Sequence, residues 1–369
     1  MPKDMGRVPF VEIFVHSNAG HLQQLYTGFR CLHAAGEIKA VQRLRGRPAP
    51  RDLVEPHLRD ARLAHCSVIV NQKIRLYYDM HDSWEVDDEA LKYHDIYFKR
   101  SFYPDRLSKQ FDDYHKIRPY GLNYEVVANP VDLFALQRSV LSRNARELLT
   151  SVGWSTGLAD LWQFIPTMKR MEMSPPINES GNIIFMARTW DPDEDMEYID
   201  TARRADRDKI NRMRAECIRA LKRRFGDKFF GGFAPTKHAI KAYPDLVLNG
   251  NSAKKRNYIN LLRGSSIAVA SAGLHGSIGW KMAEYVAFSR AIVSEKIESE
   301  LPGGFSDGVN YLSFQSADEC VEMVDRLRRD DAFRRRMMIN NRSYYENMLN
   351  PKSIVARTLS ECLLAPTPI

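Results

Sequence analysis

The sequence has few of the features that would put a chain in a membrane or outside a reducing compartment. Its longest apolar runs fall far short of the roughly 20 residues needed to cross a bilayer, so no transmembrane helix is expected. No apolar stretch follows residues 1–7 to make a secretory leader. Cysteine is sparse and odd in number: five residues, at 31, 66, 217, 320 and 362. Their scatter argues against a disulfide framework, and none shows metal-ligand spacing, which suits reduced thiols in a cytoplasm. Recognisable nucleic-acid-binding motifs are also missing, so the formal charge of +8 does not point to DNA or RNA.

What the chain does have is length, core-forming residues and basic charge. At 369 residues it is long for one domain and comfortable for two. A hydrophobic content of 44% is ordinary for a globular protein. Basic residues run through both halves, as on a plain solvated surface. The sharper reading is affinity for a phosphorylated ligand, or peripheral contact with an anionic membrane.

Short β-branched and aromatic runs alternate with helical periodicity along most of the chain. Residues 10–17 read as a first buried strand, 22–35 as a helix stopping at Gly36, and 38–44 as a second strand. Strands are also expected at 66–70 and 74–78, more weakly at 96–101 and 124–127, with a helix over 131–152. Residues 45–50 form a basic, proline-containing loop, and 166–181 is the most linker-like passage. A new strand at 182–187 follows, then a helix over 209–224 that places Ile210, Met213, Cys217 and Leu221 on one core-facing stripe. The alternation continues through 229–233, 246–248, 258–262 and 310–314 to helices at 317–329, 331–345 and 351–364. Strands alternating with helices imply parallel, doubly wound sheets.

One stretch stands out. Residues 266–271 read as a strand, 273–279 as a polar glycine-bearing loop, 280–288 as a helix and 290–294 as another strand. Such a βαβ unit aims loop amides and a helix N-terminus at an anion. Asp79, His81 and Asp82 also sit just past a strand end, where open α/β sheets bind ligands. Asp191-Pro-Asp193 reads as an acidic loop or cap, and His238 and the Tyr344-Tyr345 pair as structural.

Residues 276–287 resemble the nucleotide-binding motif of GT-B glycosyltransferases, most nearly the group-1 superfamily and its spore-coat-type relatives. In that motif a Glu, a loop glycine and a second Glu contact the donor sugar and ribose. Glu284 matches the second Glu and Gly279 the glycine, whereas Gly276 stands where the first Glu belongs. His275 and Ser277 are the substitutes at hand, and the departure leaves stereochemistry open. Arg188 matches a phosphate-contacting arginine, and Lys281 lies where an ammonium reaches a diphosphate. In the first half, Ala19-Gly-His-Leu22 is similar to the glycine–histidine turn of inverting members. That likeness makes His21 the base that deprotonates the acceptor, oriented by Asp79 or Asp82.

The resemblance implies a GT-B fold: two Rossmann-like, doubly wound α/β domains facing each other across a cleft, with a C-terminal helix crossing back to the first. Residues 1–170 would bind the acceptor, 171–350 the nucleotide-sugar, and 351–369 would be the returning helix. The implied activity is metal-independent transfer from a nucleotide-sugar donor to a saccharide or lipid-linked acceptor. Surface polysaccharide or glycoconjugate synthesis, in the cytoplasm or at the inner membrane face, would be its setting. A nucleotide-sugar epimerase of the same fold and a degenerate nucleotide-sugar-binding protein are the alternatives.

Overall fold

The computed structural model describes residues 8–15, 19–43, 64–128, 152–153, 156, 158–161, 164–177, 181–193 and 201–364. These fall into two compact units. The first draws on residues 1–170, 299–302 and 346–369, and the second on 171–298 and 303–345. The expected helix at 131–152, but for its last residue, and the basic loop at 45–50 lie outside the described residues.

The first unit contains β1 (Phe10–Phe14), α1 (Gln23–Ala34), β2 (Lys39–Arg43), β3 (His65–Val70), β4 (Ile74–Asp79), α2 (Asp88–Tyr93), β5 (Ile96–Lys99), α3 (Pro104–Gln110) and β6 (Ile117–Pro119). Its sheet runs β2-β1-β3-β4-β5-β6. Parallel pairing holds for β1–β2, β4–β5 and β5–β6. The fully parallel sheet expected from alternation is interrupted by β3, which is antiparallel to both β1 and β4. The cause is a tight hairpin between β3 and β4, in which Asn71 and Gln72 take φ of 52° and 59°. Successive left-handed residues turn the chain with the right-handed twist of its strands. Residues 124–127 do not form the weak strand their composition suggests. Only Val127 pairs, in a single bridge with Thr167.

The second unit contains β7 (Ile183–Ala187), α4 (Thr201–Phe225), β8 (Phe229–Phe233), α5 (Lys237–Ala242), α6 (Lys255–Arg263), β9 (Ile267–Ala270), α7 (Trp280–Ala287), β10 (Ala291–Glu295), β11 (Leu312–Phe314), α8 (Ala317–Arg329) and α9 (Asp331–Tyr344). Its five strands run β11-β10-β9-β7-β8 and every pairing is parallel. Both faces are covered, which is why β7 and β9 read as unbroken apolar runs with every residue buried. The stripe of Ile210, Cys217 and Leu221 packs as expected. Ser316 and Asp330 cap α8 and α9 by accepting the backbone N–H of Glu319 and Phe333.

The last helix, α10 (Pro351–Leu364), belongs to the first unit, so the crossing-back expected of a GT-B chain is present. It packs against α1 at Gly28, where a Cβ would lie 2.1 Å from the Pro351 carbonyl oxygen and 2.4 Å from Val355 Cγ2. No residue but glycine fits that approach. The Tyr78 and Thr358 hydroxyls, 2.9 Å apart, tie the same helix to β4.

Candidate functional site

In the first unit the polar residues gather at the C-terminal ends of β4 and β5. Asp79, the last residue of β4, is only 3% exposed. Its carboxylate accepts from Lys99 Nζ at 2.8 Å, Tyr97 OH at 2.6 Å, His81 Nδ1 at 2.8 Å and the His81 amide at 3.0 Å. Burial alone would raise its pKa, but the Lys99 ammonium and His81 hold it far below the usual carboxylate range. His81 Nε2 accepts the Ala64 amide at 3.2 Å, so the ring has a proton on Nδ1 and its other nitrogen is engaged.

His21 lies in a 3₁₀ turn, Gly20–Leu22, held by Asn123 Nδ2 donating to its carbonyl at 3.0 Å. The carboxylate facing its ring is Asp82, with Nε2 3.9 Å from Oδ1, and not Asp79, whose hydrogen bonds go to His81, Lys99 and Tyr97. Asp82 also pairs with the buried Arg100. Burial, then the Arg100 charge and His81, pull the His21 pKa down to about 4. The imidazole is therefore neutral near pH 7, with a carboxylate close enough to steady an imidazolium.

In the second unit the site lies where β7 and β9 end and α7 begins. Arg188 follows β7 directly, is exposed, and has its guanidinium 5.0 Å from the Trp190 ring centre. Arg214 of α4, 7% exposed, joins the two strand ends. It donates to the Arg188 carbonyl at 2.6 Å, Ser271 Oγ at 2.8 Å and the Ala272 carbonyl at 2.8 Å. Glu295 closes the other side by accepting the Ala272 amide at 2.8 Å.

The loop itself is tightly turned. Gly273 donates to the Ser277 carbonyl at 2.8 Å, and a Cβ at 273 would meet Ser277 Oγ at 2.7 Å. His275 and Gly276 both have positive φ, 60° and 69°. The glycine found in place of an expected Glu thus stands where the backbone disfavours a side chain. Ser277 is buried within the turn and His275 lies on its outside, its amide 3.3 Å from Asp206 Oδ2. Gly279 caps α7 with an ordinary φ of −68° and open space around its missing Cβ.

Glu284, on the second turn of α7, is 2% exposed. Lys255 pairs with Oε1, and Tyr258 OH donates to Oε2 at 2.7 Å. Burial opposes its ionisation, but the Lys255 and Lys281 ammoniums and the Tyr258 hydrogen bond win, so its pKa is lowered. Lys281 Nζ sits 3.9 Å from the Tyr258 ring centre. Burial, relieved in part by Glu284 and reinforced by Lys255 and Arg214, brings the Lys281 pKa to about 8.

Lys255, Tyr258, Arg214 and Glu295 were not singled out from sequence. Arg214 lies on α4 and Lys255 and Tyr258 on α6, both outside the βαβ unit they support, while Glu295 ends the strand that follows α7. Asp191-Pro-Asp193 is a loop, with Asp191 Oδ1 accepting the Asp193 amide at 3.0 Å.

Residues 207–358 match the family described as glycosyl transferase-like. That span holds Arg214, Lys255 and residues 275–284, while Arg188, His21, Asp79, His81 and Asp82 fall outside it. No curated protein sequence matches the chain. Among solved structures, a glycosyltransferase from Rickettsia africae is 12% identical, covering 92% of this chain and 88% of its own, with a TM-score of 0.39. The C-terminal domain of a group 1 family glycosyl transferase from Francisella tularensis is 14% identical, over 48% of this chain and 96% of its own, with a TM-score of 0.33. A UDP-GlcNAc 2-epimerase from Neisseria meningitidis, bound to UDP-GlcNAc, is 12% identical over 76% of this chain, with a TM-score of 0.38. The match spans 64% of the epimerase, less than two thirds of its length. The likeness to the glycosyl transferase-like family is confined to residues 207–358, most of which lie in the second unit.

Proposed function

We propose that the protein transfers a sugar from a nucleoside-diphosphate-sugar to a saccharide or lipid-linked acceptor. The observation that carries this reading is Glu284. A buried carboxylate, kept ionised by Lys255 and Tyr258, stands beside Lys281 at the C-terminal ends of parallel strands, within the family-matched segment. A hydroxyl-rich ribose donates to such a carboxylate, and the adjoining cations suit a diphosphate.

In this reading Arg188, Lys281 and the loop amides of residues 276–279 stabilise charge on the leaving diphosphate, with no metal required. A phosphate beside Lys281 raises its pKa and secures its charge. His275 and Ser277 are the candidates for the sugar itself. In the first unit neutral His21 takes the acceptor proton, and Asp82 steadies the imidazolium. Asp79 acts at one remove, through His81. The basic surface suits an acceptor at an anionic membrane face and a role in surface polysaccharide or glycoconjugate synthesis. Among the described residues no helix is long and apolar enough to cross a membrane.

The experiment is a panel of nucleotide-sugars screened for thermal stabilisation and for release of nucleoside diphosphate. One donor is expected to raise the melting temperature and to be consumed, and Glu284→Ala to lose both effects.

A further inference from the structure

Two residues outside the expected motif decide the state of Glu284. Lys255 opens α6 and Tyr258 follows one helical turn later, so both side chains leave the same face. They reach different oxygens of one carboxylate on α7: Lys255 at Oε1, Tyr258 at Oε2. Tyr258 is 3% exposed, and its ring lies 5.6 Å from Lys255 Nζ and 3.9 Å from Lys281 Nζ, which fixes where its hydroxyl points. A carboxylate offers about four acceptor positions over its two oxygens. With one taken on each, both oxygens keep capacity for a further donor. That pattern matches a vicinal diol, in which two neighbouring hydroxyls each donate to one oxygen. A protonated acid in the same place would spend one oxygen as a donor and could not receive both.

We propose that Lys255 and Tyr258 are positioning residues that hold Glu284 as an oriented carboxylate and so set this site's preference for a ribonucleotide over its 2′-deoxy analogue. The inference rests on the reading of Glu284 as the ribose contact. It goes beyond that reading in assigning sugar discrimination to two residues of another helix. The competing account is that Lys255 only neutralises a buried acid for folding. That account predicts lost stability without changed discrimination.

The test is calorimetric titration of ADP, GDP, CDP and UDP, and of their 2′-deoxy counterparts, into the wild-type chain and into Lys255→Met, Lys255→Arg and Tyr258→Phe. Wild type is expected to prefer the ribo form of its chosen nucleotide by about tenfold or more, the scale of one hydrogen bond to a charged group. Lys255→Met is expected to weaken ribonucleotide binding by about tenfold while barely changing the deoxy form, so the preference collapses. Lys255→Arg, which restores the cation, is expected to keep most of it, and Tyr258→Phe to lose part. The pH response separates positioning from packing. Without the ammonium the Glu284 pKa rises, so the ribo-to-deoxy affinity ratio of Lys255→Met falls between pH 8 and 6. The wild-type ratio stays flat there, titration of Lys281 and of the ligand phosphate being common to both forms. Discrimination that survives in Lys255→Met, or equal weakening of both forms, overturns the proposal and leaves the diphosphate site standing. A wild type that binds nucleoside diphosphates without preferring ribose overturns it too. A wild type that binds none of the eight removes the underlying reading, and the proposal with it.

Discussion

Arg214 Nε donates to Ser271 Oγ at 2.8 Å, and through that bond a residue in the middle of α4 fixes the loop leaving β9. The same guanidinium caps the Arg188 carbonyl at 2.6 Å, so the ends of β7 and β9 share one clamp. Burial lowers the Arg214 pKa only to about 10, with Glu295 opposing the drop, so the clamp stays charged across physiological pH. Replacing it with methionine removes three hydrogen bonds and leaves their partly buried acceptors without this donor. Arg214→Met is expected to cost about 3 kcal/mol in chemical denaturation and to weaken nucleotide binding. Arg214→Lys should recover little, because an ammonium cannot span three acceptors in one plane.

The sequence carried the second unit's frame legibly and its clamps hardly at all. Residues 229–233, 317–329 and 351–364 form elements with the expected bounds, because apolar period and cap residues such as Ser316 are local signals. Glu284 and Gly279 were singled out only through the resemblance of residues 276–287 to a nucleotide-binding motif. Arg214 was not, since it is one of several arginines on a strongly basic helix, and nothing local distinguishes it from its solvated neighbours. Lys255 and Tyr258 act on a residue 29 and 26 positions away, a distance that no periodicity encodes. In the first unit the β3–β4 hairpin escaped notice because Asn71-Gln72 lacks the glycine that usually marks left-handed turns. The partner of His21 was open between Asp79 and Asp82 because both follow the same strand. Burial of Asp79 beside Lys99 separates their roles.

Acid stability follows from His94. Its ring is buried, with Nδ1 donating to the Ala90 carbonyl at 2.7 Å and Nε2 3.2 Å from Ser67 Oγ. Burial pulls its pKa to about 4, the Ala90 carbonyl opposing. Above pH 6.5 both the folded and unfolded rings are neutral and contribute no pH dependence. Between 6.5 and 4 only the unfolded state gains the proton, so stability falls as pH drops. His94 accounts for roughly 2–3 kcal/mol of that loss, and His21 adds to it in the same window. Denaturation of His94→Gln across pH 7 to 4 should show a shallower decline than wild type.

His21 is expected to control turnover and not donor binding. His21→Gln should reduce transfer by about a hundredfold or more with the donor KM little changed. With its pKa near 4, wild-type kcat/KM should rise through that value and stay level from pH 5.5 to 7, falling near 8 as Lys281 loses its proton. A break near 6.5 would mean that another group is the base. Asp82→Asn should lower kcat more than it changes either KM.

Removal of divalent metal provides a separate check. Because Arg188, Lys281 and loop amides are assigned the diphosphate charge, exhaustive chelation should leave donor consumption within about twofold of its starting rate. Loss of activity on chelation, restored by magnesium or manganese, would shift that role to a cation.

The most direct measurement is release of nucleoside diphosphate from a nucleotide-sugar panel, with wild type and Glu284→Ala compared side by side. The account predicts that one donor is consumed, faster with an acceptor present, and that Glu284→Ala slows consumption about a hundredfold. Consumption that survives Glu284→Ala undiminished, or a panel from which nothing is bound or consumed, would contradict it.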